Sequence, residues 1–385
     1  MLITRRIGYE PKLAVQDAVR ALNSHDFTLG SGGLLAYFPV VRGNPFQALL
    51  YGGLPDVGLT PVPTYDGETT LRVSRALAGS GLEFVVHVHW LNVVLAKALD
   101  ESQAREFAKR YLENLQRLVD DGARLMWTVH NVLPHETRYA ELEAELRREV
   151  VALSERVHVM SPRTRELAAP WFDIPDDKLL PVPHPGYQGV YPSWISQRQA
   201  RLELGISPDS LVLLMIGRGQ PYKGLTELLD AFDELCERSP GRFTLLVAGP
   251  PDREEETVAF RDRLLTHPSA MAALRKIPDD EMQVYLRAAD VAVFPYRASL
   301  NSGALALAQT FGLPVVVRSD SGEAGRLGPS YAIRYDDDLL SALAETPRLR
   351  TPAARAAAAG AAERIAPRRV AGAFAAAVRD WLDSP

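Results

Sequence analysis

Short apolar runs alternate with helical periodicity along most of the chain, the pattern made by parallel sheets covered by helices on both faces. In the first half, Leu34–Phe38, Phe84–His89, Leu125–Val129 and Val157–Met160 predict strands. In the second half, Leu211–Ile216, Phe243–Ala248, Val291–Phe294 and Val315–Arg318 do the same. Between the strands the period changes. Ala104, Phe107, Tyr111, Leu115 and Leu118 step by three and four, as do Leu225, Leu228, Leu229, Phe232 and Leu235, so both stretches predict amphipathic helices. Each half reads as its own doubly wound, Rossmann-like α/β unit.

The join falls in Pro181–Pro192, whose four prolines and two glycines suit neither a helix nor a central strand. The expected division is a first unit over 34–187 and a second over 188–366, with a C-terminal helix over 367–385 folding back toward the first. Residues 1–33 hold one helical stretch, Lys12–Leu22, and a Gly30-Ser-Gly-Gly33 loop, and stand apart as an extension without an assigned role.

Composition narrows the function classes. With 385 residues, 46% hydrophobic and 24% charged, the chain can bury large cores. A net charge of −5 argues against broad binding to nucleic acid. The single cysteine, Cys236, excludes an intrachain disulfide and a cysteine metal cage. No run approaches the ~18 apolar residues of a membrane span, and Met1–Arg6 is not followed by the apolar segment of a signal peptide, so a cytoplasmic protein is expected.

Three stretches carry candidate chemistry. Gly217-Arg-Gly-Gln-Pro-Tyr-Lys-Gly224 joins a strand to an amphipathic helix. Glycines admit a ligand close to the backbone, a helix start offers unpaired N–H groups, and Arg218 and Lys223 add two cations suited to a diphosphate. It is not a Gly-x4-Gly-Lys-Ser/Thr loop, because Leu225 stands where a magnesium-binding hydroxyl belongs. Asn301-Ser-Gly303 precedes a run of small apolar residues and supplies an N-cap at the carboxyl edge of a sheet. Val129-His-Asn-Val-Leu-Pro-His-Glu136 gathers His130, Asn131 and Glu136 at a strand end, and His87 and His89 share one face of the preceding strand. His87 reads as a hydrogen-bonded core residue; His89 fits a core or a catalytic role equally. No spacing supports a metal site, and neither a Gly-x-Ser-x-Gly elbow nor a dinucleotide Gly-x-Gly-x-x-Gly is present.

Together these stretches resemble the GT-B glycosyltransferases, in particular bacterial members of glycosyltransferase family 4 and its mannosyltransferase-like branch, from about Leu34 to the end. The resemblance rests on Asn44–Tyr51, His87–Trp90, Thr128–Glu136, Gly217-Arg218 with Lys223-Gly224, and Ala288–Tyr296 through Phe311–Val316. It implies two Rossmann-like lobes with a cleft between them, an acceptor bound by the first and a nucleotide-sugar donor by the second. Gly217, Arg218, Lys223, Asn301, Ser302 and Gly303 would hold the donor phosphates. Ile277, within Lys276–Pro278, falls near the base, and His130 beside the donor sugar. His89, Asn131, Glu136 and His184 would serve the acceptor or sugar side, with Tyr187 near them. The cation pair implies transfer without a metal or other cofactor. The acceptor would be a saccharide, a lipid-linked sugar or a small molecule, and a lipid carrier implies peripheral contact with the inner face of the membrane.

The chain departs from the family at the Glu-x7-Glu pair, whose places fall near Ser299 and Leu307. The family pattern implies retention of the anomeric configuration; an inverting branch would need a base, with His89, His130 and Glu136 as candidates. Two alternatives share the fold: a nucleotide-sugar epimerase, and a non-catalytic binding protein that has lost donor turnover.

Overall fold

A computed structural model of the chain describes residues 14–24, 32–134, 137–252, 255–297 and 299–384. Contacts divide it into two units, Met1–Pro185 with Pro367–Pro385, and Gly186–Ala366. The boundary lies inside the proline-rich stretch, two residues ahead of the position read from the sequence.

In the first unit, β1 (Gly33–Phe38), β2 (Leu59–Pro63), β3 (Glu83–Val88), β4 (Arg124–Val129), β5 (Arg156–Val159) and β6 (Leu179–Pro181) form one sheet in the order β2-β1-β3-β4-β5-β6. In the second, β7 (Leu211–Ile216), β8 (Phe243–Ala248), β9 (Ala270–Ala273), β10 (Val291–Phe294), β11 (Val315–Arg318) and β12 (Ala332–Tyr335) run in the order β12-β11-β10-β7-β8-β9. All of the strand pairs are parallel. Each sheet is therefore wound in two directions from its first strand, which puts a switch point between β1 and β3 and another between β7 and β10. Loops leaving the carboxyl ends of the strands diverge there and open a crevice for a ligand.

Central strands are fully buried: every residue of β7 and of β10 is inaccessible or nearly so. Helix Ala14–Ser24, which the sequence reading set in a separate N-terminal extension, belongs to the first unit. Its Ala14 and Ala18 pack on Leu34, Ala36, Val62 and Val73, because small side chains on one stripe let the helix lie close to the sheet. The C-terminal helix, Pro367–Asp383, also packs on the first sheet. It buries Val370, Phe374, Val378 and Trp381, Arg379 pairs with Glu83 at 2.7 Å, and the Trp381 indole donates to Glu155 at 3.1 Å.

Candidate active site

The second unit places the glycine-rich loop at its switch point. After β7, Gly217 turns with φ +119° and its N–H donates to the Ala248 carbonyl at 2.8 Å. A side chain at Gly249 would meet the Gly217 carbonyl at 2.1 Å, so two backbones touch where β7 and β8 end. Pro221–Lys223 forms one 3-10 turn, and Gly224, left-handed at φ +64°, starts the helix Leu225–Arg238. A β-carbon at Gly224 would lie 2.3 Å from the Pro295 carbonyl oxygen, which ties this loop to the end of β10. Only glycine satisfies both the handedness and the contact.

That packing fixes Lys223. Its ammonium sits 5.2 Å from the centre of the Tyr296 ring and 3.0 Å from the position of a β-carbon on Gly217, while Lys223 itself is only 6% exposed. Among the described residues no carboxylate pairs with it. Burial, and then the charge of exposed Arg218, lower its pKa to about 8. A buried ammonium without a counter-ion is costly unless an anion arrives. On the neighbouring strand of the switch point, Ser302 caps the helix Gly303–Thr310, its hydroxyl accepting from Leu305 N at 3.2 Å. Asn301, Ser302 and Gly303 thus sit at the same sheet edge as Lys223, on the N-terminal end of a second helix. Ile277 follows β9 on that edge and is buried. At Ser299, one of the two places where the resemblance puts an acid, the carbonyl accepts from Gly322 N at 2.8 Å, and the residue after Gly322, Glu323, is buried against Arg326.

The first unit assembles its histidines into one chain. His87 and His89 lie side by side, ring centres 4.2 Å apart, and both reach the Tyr51 hydroxyl, at 2.9 and 2.5 Å. His87 Nε2 lies 2.6 Å from Thr128 Oγ1, which lies 2.9 Å from His158 Nδ1, and His158 Nε2 meets the Val182 carbonyl at 2.9 Å. At the other end His89 Nδ1 and His130 Nε2 are 2.9 Å apart. His130 is partly exposed and stacks on Trp90, ring centres 4.0 Å apart and planes 16° from parallel. Burial, reinforced by the neighbouring histidines, lowers His87, His89 and His130 well below the ordinary histidine value. Burial brings His158 down to about 4. All four are neutral at pH 7.

His184 is buried in the same unit, 5.0 Å from the Phe46 ring, with Nδ1 on the Pro185 carbonyl at 2.7 Å. Tyr187 belongs to the other unit, where its N–H donates to Thr310 at 2.9 Å. Asn131 follows His130 on the loop after β4, and Glu136 lies outside the described residues. The sequence reading did not single out Tyr51, Thr128 or His158 as site residues. A histidine in the otherwise apolar run Val157–Met160 was the available signal for His158, just as it was for His87. Among the described residues there is no cluster of three or more His, Cys, Asp or Glu arranged to hold a metal ion, and no helix is long and apolar enough to cross a membrane.

Known proteins resemble the chain in sequence and in fold. Residues 210–346 match the family described as Glycosyl transferases group 1. The chain is 26% identical over 310 residues to the GDP-mannose:glycolipid 4-beta-D-mannosyltransferase of Xanthomonas campestris pv. campestris, covering 79% of each chain. Among solved structures it superimposes on sucrose-phosphate synthase from Thermosynechococcus elongatus with a TM-score of 0.66 at 15% identity, covering 91% of this chain and 99% of that one. Anabaena HepE in complex with UDP and glucose gives 0.65 at 13% identity, with 91% and 100% covered. The chain is a glycosyltransferase of the GT-B fold, with a group 1 glycosyl transferase domain in its second unit.

Proposed function

We propose that the chain transfers a hexosyl group from a nucleoside diphosphate sugar, GDP-mannose first and a UDP-sugar next, to a hydroxyl of a saccharide, lipid-linked or small-molecule acceptor, a glycolipid being the leading choice. The observation that carries this reading is Lys223, a buried ammonium without a carboxylate partner among the described residues, held at a switch point beside the exposed guanidinium of Arg218. A diphosphate brings the missing negative charge. The named activity of the 26% identical relative supports both the mannosyl donor and the glycolipid acceptor. A lipid-linked acceptor would bring the chain to the inner face of the membrane as a peripheral protein.

In the reaction, the bond between the anomeric carbon and the β-phosphate oxygen breaks and the acceptor oxygen bonds to that carbon. Arg218 and Lys223 neutralise the departing diphosphate, and the N–H groups at Ser302 and Gly303 add donors where charge develops. Two fixed cations do what a divalent metal does in other transferases, so the reaction proceeds without one. The acceptor hydroxyl loses its proton to His130, which is neutral at pH 7. The resemblance by itself implies retention. Inversion is favoured by the non-acidic Ser299 and Leu307, and by the β-mannosyl transfer named for the relative, since GDP-mannose is an α-linked donor.

The first test is a thermal-shift series with GDP, UDP, ADP, TDP and CDP without added metal, since a ligand bound to the folded state raises its melting temperature. GDP is expected to give the largest shift, and GDP-mannose with a glycolipid acceptor to give a β-linked product by proton NMR. No shift with any nucleotide overturns the donor site. An isomeric nucleotide sugar formed without acceptor would instead identify an epimerase. His130→Ala is expected to lower kcat while leaving the donor KM nearly unchanged.

A further inference from the structure

Tyr296 is not among the residues the sequence assigns to the donor, yet the fold sets it against the buried cation of that site. It stands two residues beyond β10, where three contacts clamp the segment to the glycine-rich loop. The Pro295 carbonyl fills the space a side chain on Gly224 would need, and Arg297 N donates to Tyr222 O at 2.8 Å. Arg297 Nε also donates to Glu227 Oε1, on the helix that follows the loop, at 2.6 Å. The buried Tyr296 ring packs at steep angles on Phe294, 5.6 Å away at 77°, and on Tyr222, 5.7 Å away at 70°. Over its face lies the Lys223 ammonium, 5.2 Å from the ring centre, whereas Tyr222 at 6.0 Å is at the limit of such a contact. Burial, and then Tyr222, push the Tyr296 phenol far above its ordinary range, so the ring is uncharged and offers the ammonium only its π face.

We infer that Tyr296 is a positioning residue for the donor: its ring face takes the place of a counter-ion and holds the Lys223 ammonium in its charged form before a diphosphate binds. The inference rests on Lys223 as the phosphate cation, although the contact between ring and ammonium does not. A carboxylate in that place would hold the lysine more strongly but would repel the phosphate. A neutral ring attracts the cation and leaves its charge for the ligand. Of the charged groups on the surrounding elements, Arg218 lowers Lys223 further, Glu227 is paired with Arg297, and Glu323 with Arg326. Asp252 meets the loop through its N–H, which donates to Gly219 O at 3.0 Å. Replacing the ring therefore removes a neutral partner of the ammonium and alters no charge.

The test reads the contact and its consequence separately. In a proton–carbon correlation spectrum of the full chain labelled with 13C-lysine, without nucleotide, the end of the Lys223 side chain is expected upfield of the exposed lysines. The ring current of Tyr296 causes that shift, and the resonance is assigned by its loss in Lys223→Met. Tyr296→Phe keeps the ring and should keep the shift; Tyr296→Leu should lose it. An ordinary Lys223 resonance in the wild-type chain overturns the inference before any variant is made. For the consequence, GDP affinity is measured by calorimetry at pH about 6.5 and about 9, on either side of the lysine's value of about 8. Losing the ring lowers that value further. Tyr296→Leu should therefore bind GDP within about twofold of wild type at the lower pH and about 2–30-fold more weakly at the higher. Comparing variant with wild type at each pH cancels the nucleotide's own titration. Tyr296→Phe should restore wild-type affinity at both. A Tyr296→Leu loss that is absent, or equal at both pH values, refutes the ring's role, as does equal loss in Tyr296→Phe and Tyr296→Leu. Wild-type GDP binding by Lys223→Met, with the Lys223 resonance of the parent chain shifted as expected, refutes the phosphate reading instead.

Discussion

Replacing Lys223 with methionine separates the cost of the buried cation from its use. The side chain keeps a similar length and an apolar stem but loses the ammonium. In the folded protein burial depresses the lysine from 10.5 to about 8, a preference against the charged form of ~3 kcal/mol. That cost is fully present below pH 8, where folded and unfolded chains are both protonated. Between 8 and 10.5 the unfolded chain binds the proton and the folded one does not, so wild-type stability from this group rises with pH. Without ligand at pH 7, Lys223→Met should therefore melt several degrees above wild type, at ~2–4 °C per kcal/mol for a unit of this size. The gap should shrink as pH passes 8 and vanish above 10.5. Nucleotide diphosphate should reverse the order. Wild type gains a charge-assisted contact worth ~1.5–3 kcal/mol that the variant lacks, so its thermal shift should be much the larger. Wild-type affinity should also fall as pH rises through 8, because the bound form needs the ammonium. Differential scanning fluorimetry over pH 6.5–10.5, with and without GDP, reads all of this in one experiment (the pH limits are ~2 units around the lysine). A variant that melts below wild type at every pH refutes the uncompensated-cation argument, and an undiminished GDP shift refutes the phosphate assignment.

Arg218→Gln should leave the melting temperature unchanged, since the side chain is exposed, and should weaken nucleotide binding about 10–100-fold by calorimetry. Gly224→Ala combines a left-handed backbone with a β-carbon 2.3 Å from the Pro295 carbonyl, and should lose both stability and donor binding; ordinary melting with intact binding would show that the loop relaxes freely. Asp290 is buried against Arg201 at 2.6 Å and accepts from Val212 N at 2.9 Å. Asp290→Leu should destabilise by ~3–5 kcal/mol by leaving the arginine's charge buried and unpaired, with the nucleotide affinity of the folded fraction unchanged.

Which strands the sequence revealed depended on where they lie in the sheets. The eight legible runs are β1, β3, β4, β5, β7, β8, β10 and β11, each flanked by a strand on both sides. Burial on both faces demands continuous apolar residues, and that is a local signal. The four strands not read from the sequence, β2, β6, β9 and β12, are the four sheet edges. An edge tolerates what a centre excludes. Leu-Thr-Pro-Val-Pro in β2 and Leu-Leu-Pro in β6 carry prolines whose missing N–H is harmless on an outer edge. Ala-Met-Ala-Ala in β9 has the composition of a helix, and Ala-Ile-Arg-Tyr in β12 exposes its arginine.

The two sites divide along the same line, between what a local stretch encodes and what only the fold assembles. The glycine-rich loop was legible because Gly217, Arg218, Lys223 and Gly224 lie within eight residues, and its glycines meet strict local demands. Even so, nothing in the sequence indicated that Lys223 is buried; that follows from Tyr296 and Pro295 on the far side of the switch point. The histidine chain draws its links from five segments, with Tyr51 on a helix, His87 and His89 at β3, Thr128 and His130 at β4, His158 on β5 and Val182 beyond β6. Only strand order brings them together, so His87 read correctly as hydrogen-bonded core while the purpose of the network stayed hidden. The electrostatics of the two units are opposite. The first links Val182 to His130 by hydrogen bonds and keeps four histidines neutral; the second, among the described residues, leaves a buried cation without a carboxylate partner. A fold that tolerates an uncompensated charge of ~3 kcal/mol in one unit, while completing a seven-member hydrogen-bond chain in the other, has no structural reason for the asymmetry. A ligand that brings negative charge to Lys223 supplies the reason.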